Sequence, residues 1–98
     1  MPLATETPLI SAVVCTYNRA ALLEGAITSL AQQTLDRSQV EIVVVDNGST
    51  DDTPRLLRAR FGDRVTVLEN GINLGPAAAR NRGAARCRGD YLGFLDND

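Results

Sequence analysis

Apolar residues recur along this chain in short dense runs divided by polar turns, and the period of the pattern switches from run to run. Ile10-Ser11-Ala12-Val13-Val14-Cys15 is compact and rich in β-branched residues, which predicts a buried strand. Thr16-Tyr17-Asn18-Arg19 ends it, with Asn18 as the candidate N-cap of the next element. From Ala20 to Gln33 the apolar positions Leu22, Ala26 and Leu30, with Leu23, Ile27 and Ala31 beside them, return every fourth residue, as one face of an amphipathic helix does. Val40-Glu41-Ile42-Val43-Val44-Val45 is almost continuously β-branched, the pattern of a strand covered on both faces. Ser49-Thr50-Asp51-Asp52 then supplies cap and first-turn residues, with Pro54 tolerated in the first turn of a second helix. Leu56, Leu57 and Phe61 form its expected apolar side, and Gly62 ends it. Val65-Thr66-Val67-Leu68 predicts a third strand, Asn70 to Gly75 a glycine-bearing loop, and Pro76 to about Arg86 an alanine-rich helix. Tyr91-Leu92-Gly93-Phe94-Leu95 predicts a last, buried strand.

The order β-α-β-α-β-α-β with short connections predicts an α/β fold: an open, mainly parallel sheet with helices on both faces. In such sheets ligands bind beyond the carboxyl ends of the strands. The polar clusters Thr16 to Asn18, Asp46 to Thr50 and Asp96 to Asp98 all fall at those ends. Asp96 and Asp98, one residue apart, can share one divalent cation, Mg²⁺ or Mn²⁺, beside phosphate. Each cluster alone also suits a turn or an exposed end, because Asp, Asn and Gly are common turn residues. Arg80, Arg82, Arg86 and Arg88 read as a solvated helix face with Asp90 as a pairing partner.

Composition narrows the function. The chain has 98 residues, 44% of them hydrophobic, enough for one small core. Residues 1–8 read as a flexible tail and 9–98 as the folded part. A net charge of -2 gives no case for nucleic-acid binding. No apolar stretch approaches the roughly 20 residues that span a bilayer. Cys15 and Cys87 make no metal or redox spacing, and two isolated half-buried thiols suit a reducing cytoplasm. Every basic side chain is Arg, and His is absent, which removes imidazole as base or ligand. The phosphate-loop signature is excluded by the lack of Lys, and neither a G-x-G-x-x-G nor a Gly-x-Ser-x-Gly motif is present.

Five blocks in register carry a resemblance. Val13 to Arg19, Glu41 to Asp51, Asn73-Leu74-Gly75, Ala79-Arg80-Asn81-Arg82-Gly83 and Gly89 to Asp98 resemble the opening blocks of family 2 glycosyltransferases, in order and at that family's spacing. The resemblance implies a nucleotide-diphospho-sugar transferase fold (GT-A type, Rossmann-like), cut after its fourth strand and lacking the acceptor half. It assigns the nucleotide to Thr16, Tyr17, Asn18, Asp46, Asn73, Gly75 and Asp96, and the metal to Asp98 with Asp96. A carboxylate at Asp46 suits the imide N–H of uracil or thymine, and a UDP-sugar is the favoured donor. The implied reaction is metal-assisted transfer of the sugar, with inversion, to an acceptor hydroxyl on a carbohydrate or lipid-linked acceptor. The acidic general base of the family lies beyond the metal motif, so this chain alone is expected to be inactive. The last strand is expected to expose an apolar edge and offer a surface for oligomerisation. Attachment to the inner face of a membrane, through regions outside this chain, stays open beside a cytoplasmic location. The alternative is a non-catalytic nucleotide-sugar-binding or interaction module.

Overall fold

The computed structural model describes residues 8, 10–18, 20–31 and 39–96, the side chains at 20–22, 30–31, 63 and 96 excepted. The elements alternate as β1 (Ile10–Thr16), α1 (Ala20–Ala31), β2 (Val40–Asp46), α2 (Thr53–Phe61), β3 (Val65–Glu69), α3 (Pro76–Arg86) and β4 (Tyr91–Asp96). The strands form one sheet in the order β3-β2-β1-β4, and every pair is parallel. The α/β class, the parallel sheet and the element order are those expected from the apolar pattern. The last two residues of the expected first helix, Gln32 and Gln33, lie outside the described residues.

Parallel strands need crossovers, and the crossovers place the two cores. Val14, Ile42 and Val44 point to one face, where they bury Leu23 and Ile27 of α1 and Leu57 and Phe61 of α2. Val13, Val43 and Val45 point to the other, where they meet Ala79 of α3, with Cys15, Leu68 and Cys87 at the margin. Alternate residues of one strand thus serve opposite cores, which is why β2 can be nearly all valine and isoleucine. Leu56, expected on the buried side of α2, is 45% exposed. Leu57 and Phe61, one turn apart, already occupy the stripe that faces the sheet.

Helix α3 lies close against β1 and β2 because of a glycine. A Cβ on Gly83 would stand 2.4 Å from Val13 Cγ1 and 3.0 Å from Val45 Cγ2. At the opposite end of the sheet from the polar rim, the α3–β4 connection is clasped in place. Buried Ser11 donates its hydroxyl to Glu41 Oε1 (2.7 Å) and accepts the Gly89 amide (2.8 Å). Glu41 also accepts the Arg88 amide (2.8 Å) and its Nε (3.3 Å), so Arg88 pairs with Glu41 rather than Asp90. Burial opposes the charge on Glu41, yet these donors together hold its carboxyl below the usual glutamate range.

Strand β4 corrects the buried strand expected from its apolar run and bears out the exposed apolar edge expected from the resemblance. Its apolar sequence reads as buried, but it forms the edge of the sheet beside β1, and Tyr91, Leu92, Phe94 and Leu95 are 42–66% exposed. Apolar composition reports that a strand needs cover, whereas its place in the strand order decides whether it has any. No helix among the described residues is long and apolar enough to cross a membrane.

The close seating of α3 gives a stability prediction. Gly83→Val forces a three-carbon side chain into the Val13–Val45 contact and costs about 1–3 kcal/mol, read as a lower urea midpoint at unchanged slope. An unchanged midpoint would mean that α3 can lift from the sheet freely.

Candidate functional site

Each of the four strands runs one residue further than its apolar run: to Thr16, Asp46, Glu69 and Asp96. Register explains the extension. Thr16 pairs with Asp46 and Asp46 with Glu69, so the last rung of the ladder is polar. The Asn47 amide then donates to Thr16 O and the Asn70 amide to Asp46 O, both at 2.9 Å, and the pairing continues into the loops. The strand order reverses at β1, so the crevice beside β1 at this end is a topological switch point, where open α/β sheets take their ligands.

Asp46 is the central group. It is 2% exposed, at the end of a central strand with neighbours on both sides. Ser49 holds both its oxygens: the hydroxyl donates to Oδ1 and the amide to Oδ2 (3.3 Å). Desolvation pushes the Asp46 carboxyl above its ordinary 3.8; the two Ser49 bonds oppose this, and the charges of Glu69 and Asp51 add to it. A carboxylate has about four lone-pair sites, so one so held can still accept from a ligand donor.

Asn18 takes a different local role from the expected N-cap. Helix α1 begins at Ala20, and Asn18 sits at φ 50°, outside the extended region a cap residue adopts. Its Oδ1 accepts the amides of Thr50 (2.8 Å) and Asp51 (3.3 Å), and its Nδ2 donates to Thr50 Oγ1 (3.2 Å). Its own amide donates to Ser49 Oγ at 2.8 Å. The β1–α1 loop is thereby fastened to the β2–α2 loop, and a chain of donors runs from Asn18 through Ser49 to Asp46. The start of α2 is secured by Asp51, whose Oδ1 accepts the Thr53 amide (3.0 Å) and hydroxyl.

The third loop is fastened as well. Asn73 Oδ1 accepts the Gly75 amide (2.9 Å), and Gly75 at φ 85° turns the chain into α3. Arg82 reaches back from α3 to donate to Glu69 O (2.9 Å) and to Asn70 Oδ1, so this arginine steadies the loop as well as lining a wet helix face. The structure brings Thr16, Tyr17, Asn18, Asp46, Asn73 and Gly75 to one end of the sheet. Asp96 arrives there by register, opposite Cys15 and one residue short of the Thr16–Asp46 rung. Its side chain and all of Asp98 lie outside the described residues.

Sequence reading missed the site roles of Asn47, which looked like a turn residue, and Ser49, which looked like a helix-cap residue. The available signal was three asparagines at 47, 70 and 73, in loops also holding Gly48, Gly71 and Gly75. Asn side chains both donate and accept, which is what two adjoining loops need to hold each other.

With this geometry in view, comparison with known proteins gives the family. Residues 11–98 match the family described as Glycosyl transferase family 2. Validoxylamine A glucosyltransferase of Streptomyces hygroscopicus subsp. jinggangensis is 43% identical over 98% of this chain and 24% of its own length. The mannosyltransferase PcManGT from Pyrobaculum calidifontis, solved in complex with GDP-Man and Mn²⁺, superposes with a TM-score of 0.84 at 33% identity, over 96% of this chain and 28% of that one. S. aureus TarS 1-349, in complex with UDP-GlcNAc, superposes with a TM-score of 0.83 at 32% identity, over 92% of this chain and 26% of that one. This chain belongs to glycosyltransferase family 2, with the GT-A type of fold, and spans about a quarter of the length of these relatives.

The buried carboxyl gives a direct test. A ¹³C-NMR titration of Asp46 has its midpoint above 3.8, and Ser49→Ala moves it higher by removing a donor to the charged form. A midpoint at or below 3.8 contradicts the burial argument.

Proposed function

We propose that this chain forms the donor-nucleotide subsite of a family 2 glycosyltransferase that transfers a sugar from a nucleoside-diphosphate donor to an acceptor hydroxyl with inversion. The observation that carries the reading is the buried Asp46 carboxylate, held ready by Ser49 at the switch-point end of the sheet. A carboxylate there accepts N–H groups from a base edge. Uracil offers its imide N–H, which favours a UDP-sugar; guanine offers donors too, and relatives are seen with UDP-GlcNAc and with GDP-Man. Thr16, Tyr17 and Asn18 on one side, with Asn73 and Gly75 on the other, flank that position.

Among the described residues, no three His, Cys, Asp or Glu side chains gather into a metal site. The family resemblance assigns the proposed Mg²⁺ or Mn²⁺ to Asp98 with Asp96, and the pairing of Asp96 with Cys15 sets its backbone at the same rim. When bound, such an ion stabilises negative charge on a departing nucleoside diphosphate. The acidic base that takes the acceptor's proton is assigned outside this chain. On this reading the chain by itself binds donor nucleotide and transfers no sugar.

Calorimetric titration with UDP and with GDP, with Mn²⁺ and with chelator, tests the reading. One nucleotide binds in a metal-dependent way, and Asp46→Ala and Asp98→Ala each weaken it at least about tenfold. Equal affinity in wild type and Asp46→Ala would falsify the role of that carboxylate.

The exposed apolar edge of β4 is proposed as the surface on which two copies pair. Sedimentation should then show concentration-dependent dimers that Phe94→Lys disperses. A wild-type chain monomeric at high concentration rules the pairing out.

A further inference from the structure

Asn47 is 6% exposed, and its side chain uses every hydrogen-bonding position it has. Its Oδ1 accepts from Asn70 Nδ2 (3.0 Å) and from the Leu74 amide (2.9 Å). Its Nδ2 donates to Asn73 Oδ1 (3.0 Å) and to the Gly75 carbonyl (3.2 Å). The Leu74 partner can only donate and the Gly75 partner can only accept, so the orientation of the amide is fixed: a flip would set N–H against N–H and oxygen against oxygen. The backbone of Asn47 is tied to β1 through Thr16 O. One residue thus joins the end of the central sheet to four positions of the loop between β3 and α3.

The next residue presses the same loop. Gly48 sits at φ 84°, and a Cβ there would stand 2.4 Å from the Ile72 carbonyl carbon and 2.7 Å from the Asn73 nitrogen. The loop is therefore drawn in by Asn47 and met at van der Waals contact by Gly48. Held this way, it exposes Ile72 (66%) and Leu74 (48%), two large apolar side chains at the rim. Exposed apolar groups on a rigid loop beside a buried carboxylate suit a ligand with a flat apolar face and donors on its edge. A nucleobase has both.

We propose that Asn47 is the positioning residue of the base pocket: it holds the Ile72–Leu74 loop against the turn that follows Asp46. The proposal rests on the donor-site reading above and extends it to a residue that touches no ligand. Asn47→Ala removes four of the hydrogen bonds that hold the loop and loosens it, while the Val13–Val43 and Val14–Val44 pairs of the sheet keep their cover.

The test combines amide hydrogen exchange with calorimetry, using whichever of UDP and GDP the wild-type chain takes with Mn²⁺. In Asn47→Ala the Leu74 and Gly75 amides exchange faster, the Val43 and Val44 amides stay protected, and nucleotide affinity falls about tenfold or more. Bound nucleotide slows Leu74 exchange in wild type and does so less in the variant. A purely structural residue would lower global protection and leave the affinity of the folded fraction unchanged. Should Asn47→Ala fail to fold, Asn70→Ala decides, since it removes one donor to Asn47 Oδ1 and the Arg82 tether of the same loop without touching a residue assigned to the nucleotide. Wild-type affinity in the folded variant overturns the proposal. A wild-type chain that binds neither nucleotide overturns the donor-site reading itself, and this proposal with it.

Discussion

The polar rung Thr16–Asp46–Glu69 is the constraint on which the rest of the molecule depends. Parallel pairing carries all four strands to one edge, and the apolar runs stop one residue before that edge. Asp46 is desolvated because β1 and β3 lie on either side of it. A charge in that place is tolerable only with donors beside it, and Ser49 supplies two. The turn after β2 is shaped by that need as much as by the change of direction. Asn18 then supports Ser49 from the neighbouring loop.

Two hydrogen-bonded clusters hold the two ends of the sheet, and their chemistry differs with their task. At the amino end, Ser11, Glu41, Arg88 and Gly89 fasten the crossover that brings β4 beside β1. At the carboxyl end, Asn18 and Asn47 fasten loops to one another with neutral amides, leaving Asp46 as the buried charge of the rim. An amide can hold a loop without adding field to the pocket, so the electrostatics stay with the carboxylates. Beneath both ends, the valine-rich strands form two thin cores, and Gly83 lets α3 approach closely enough to seal one of them. The β4 edge stands apart, apolar and half exposed, in a chain that spans about a quarter of its relatives' length.

Local pattern was enough to place the elements, their parallel pairing and the end of the sheet where polar residues collect. Those features follow from β-branched runs, fourfold apolar spacing, and prolines and glycines at helix ends. The family was legible too, because five short blocks keep their order and spacing. What each polar residue does once it arrives was settled by the fold. Asn18 looked like a cap and instead ties two loops; Asn47 looked like a turn residue and holds a third. Leu56 looked buried and is exposed, and the apolar run of β4 read as buried where the family topology made it an exposed edge, since burial depends on what lies opposite and not on the residue's own character. The hydrogen-bond partners of the Asn18 and Asn47 side chains lie 23 to 33 positions away in sequence, and only the fold brings them together.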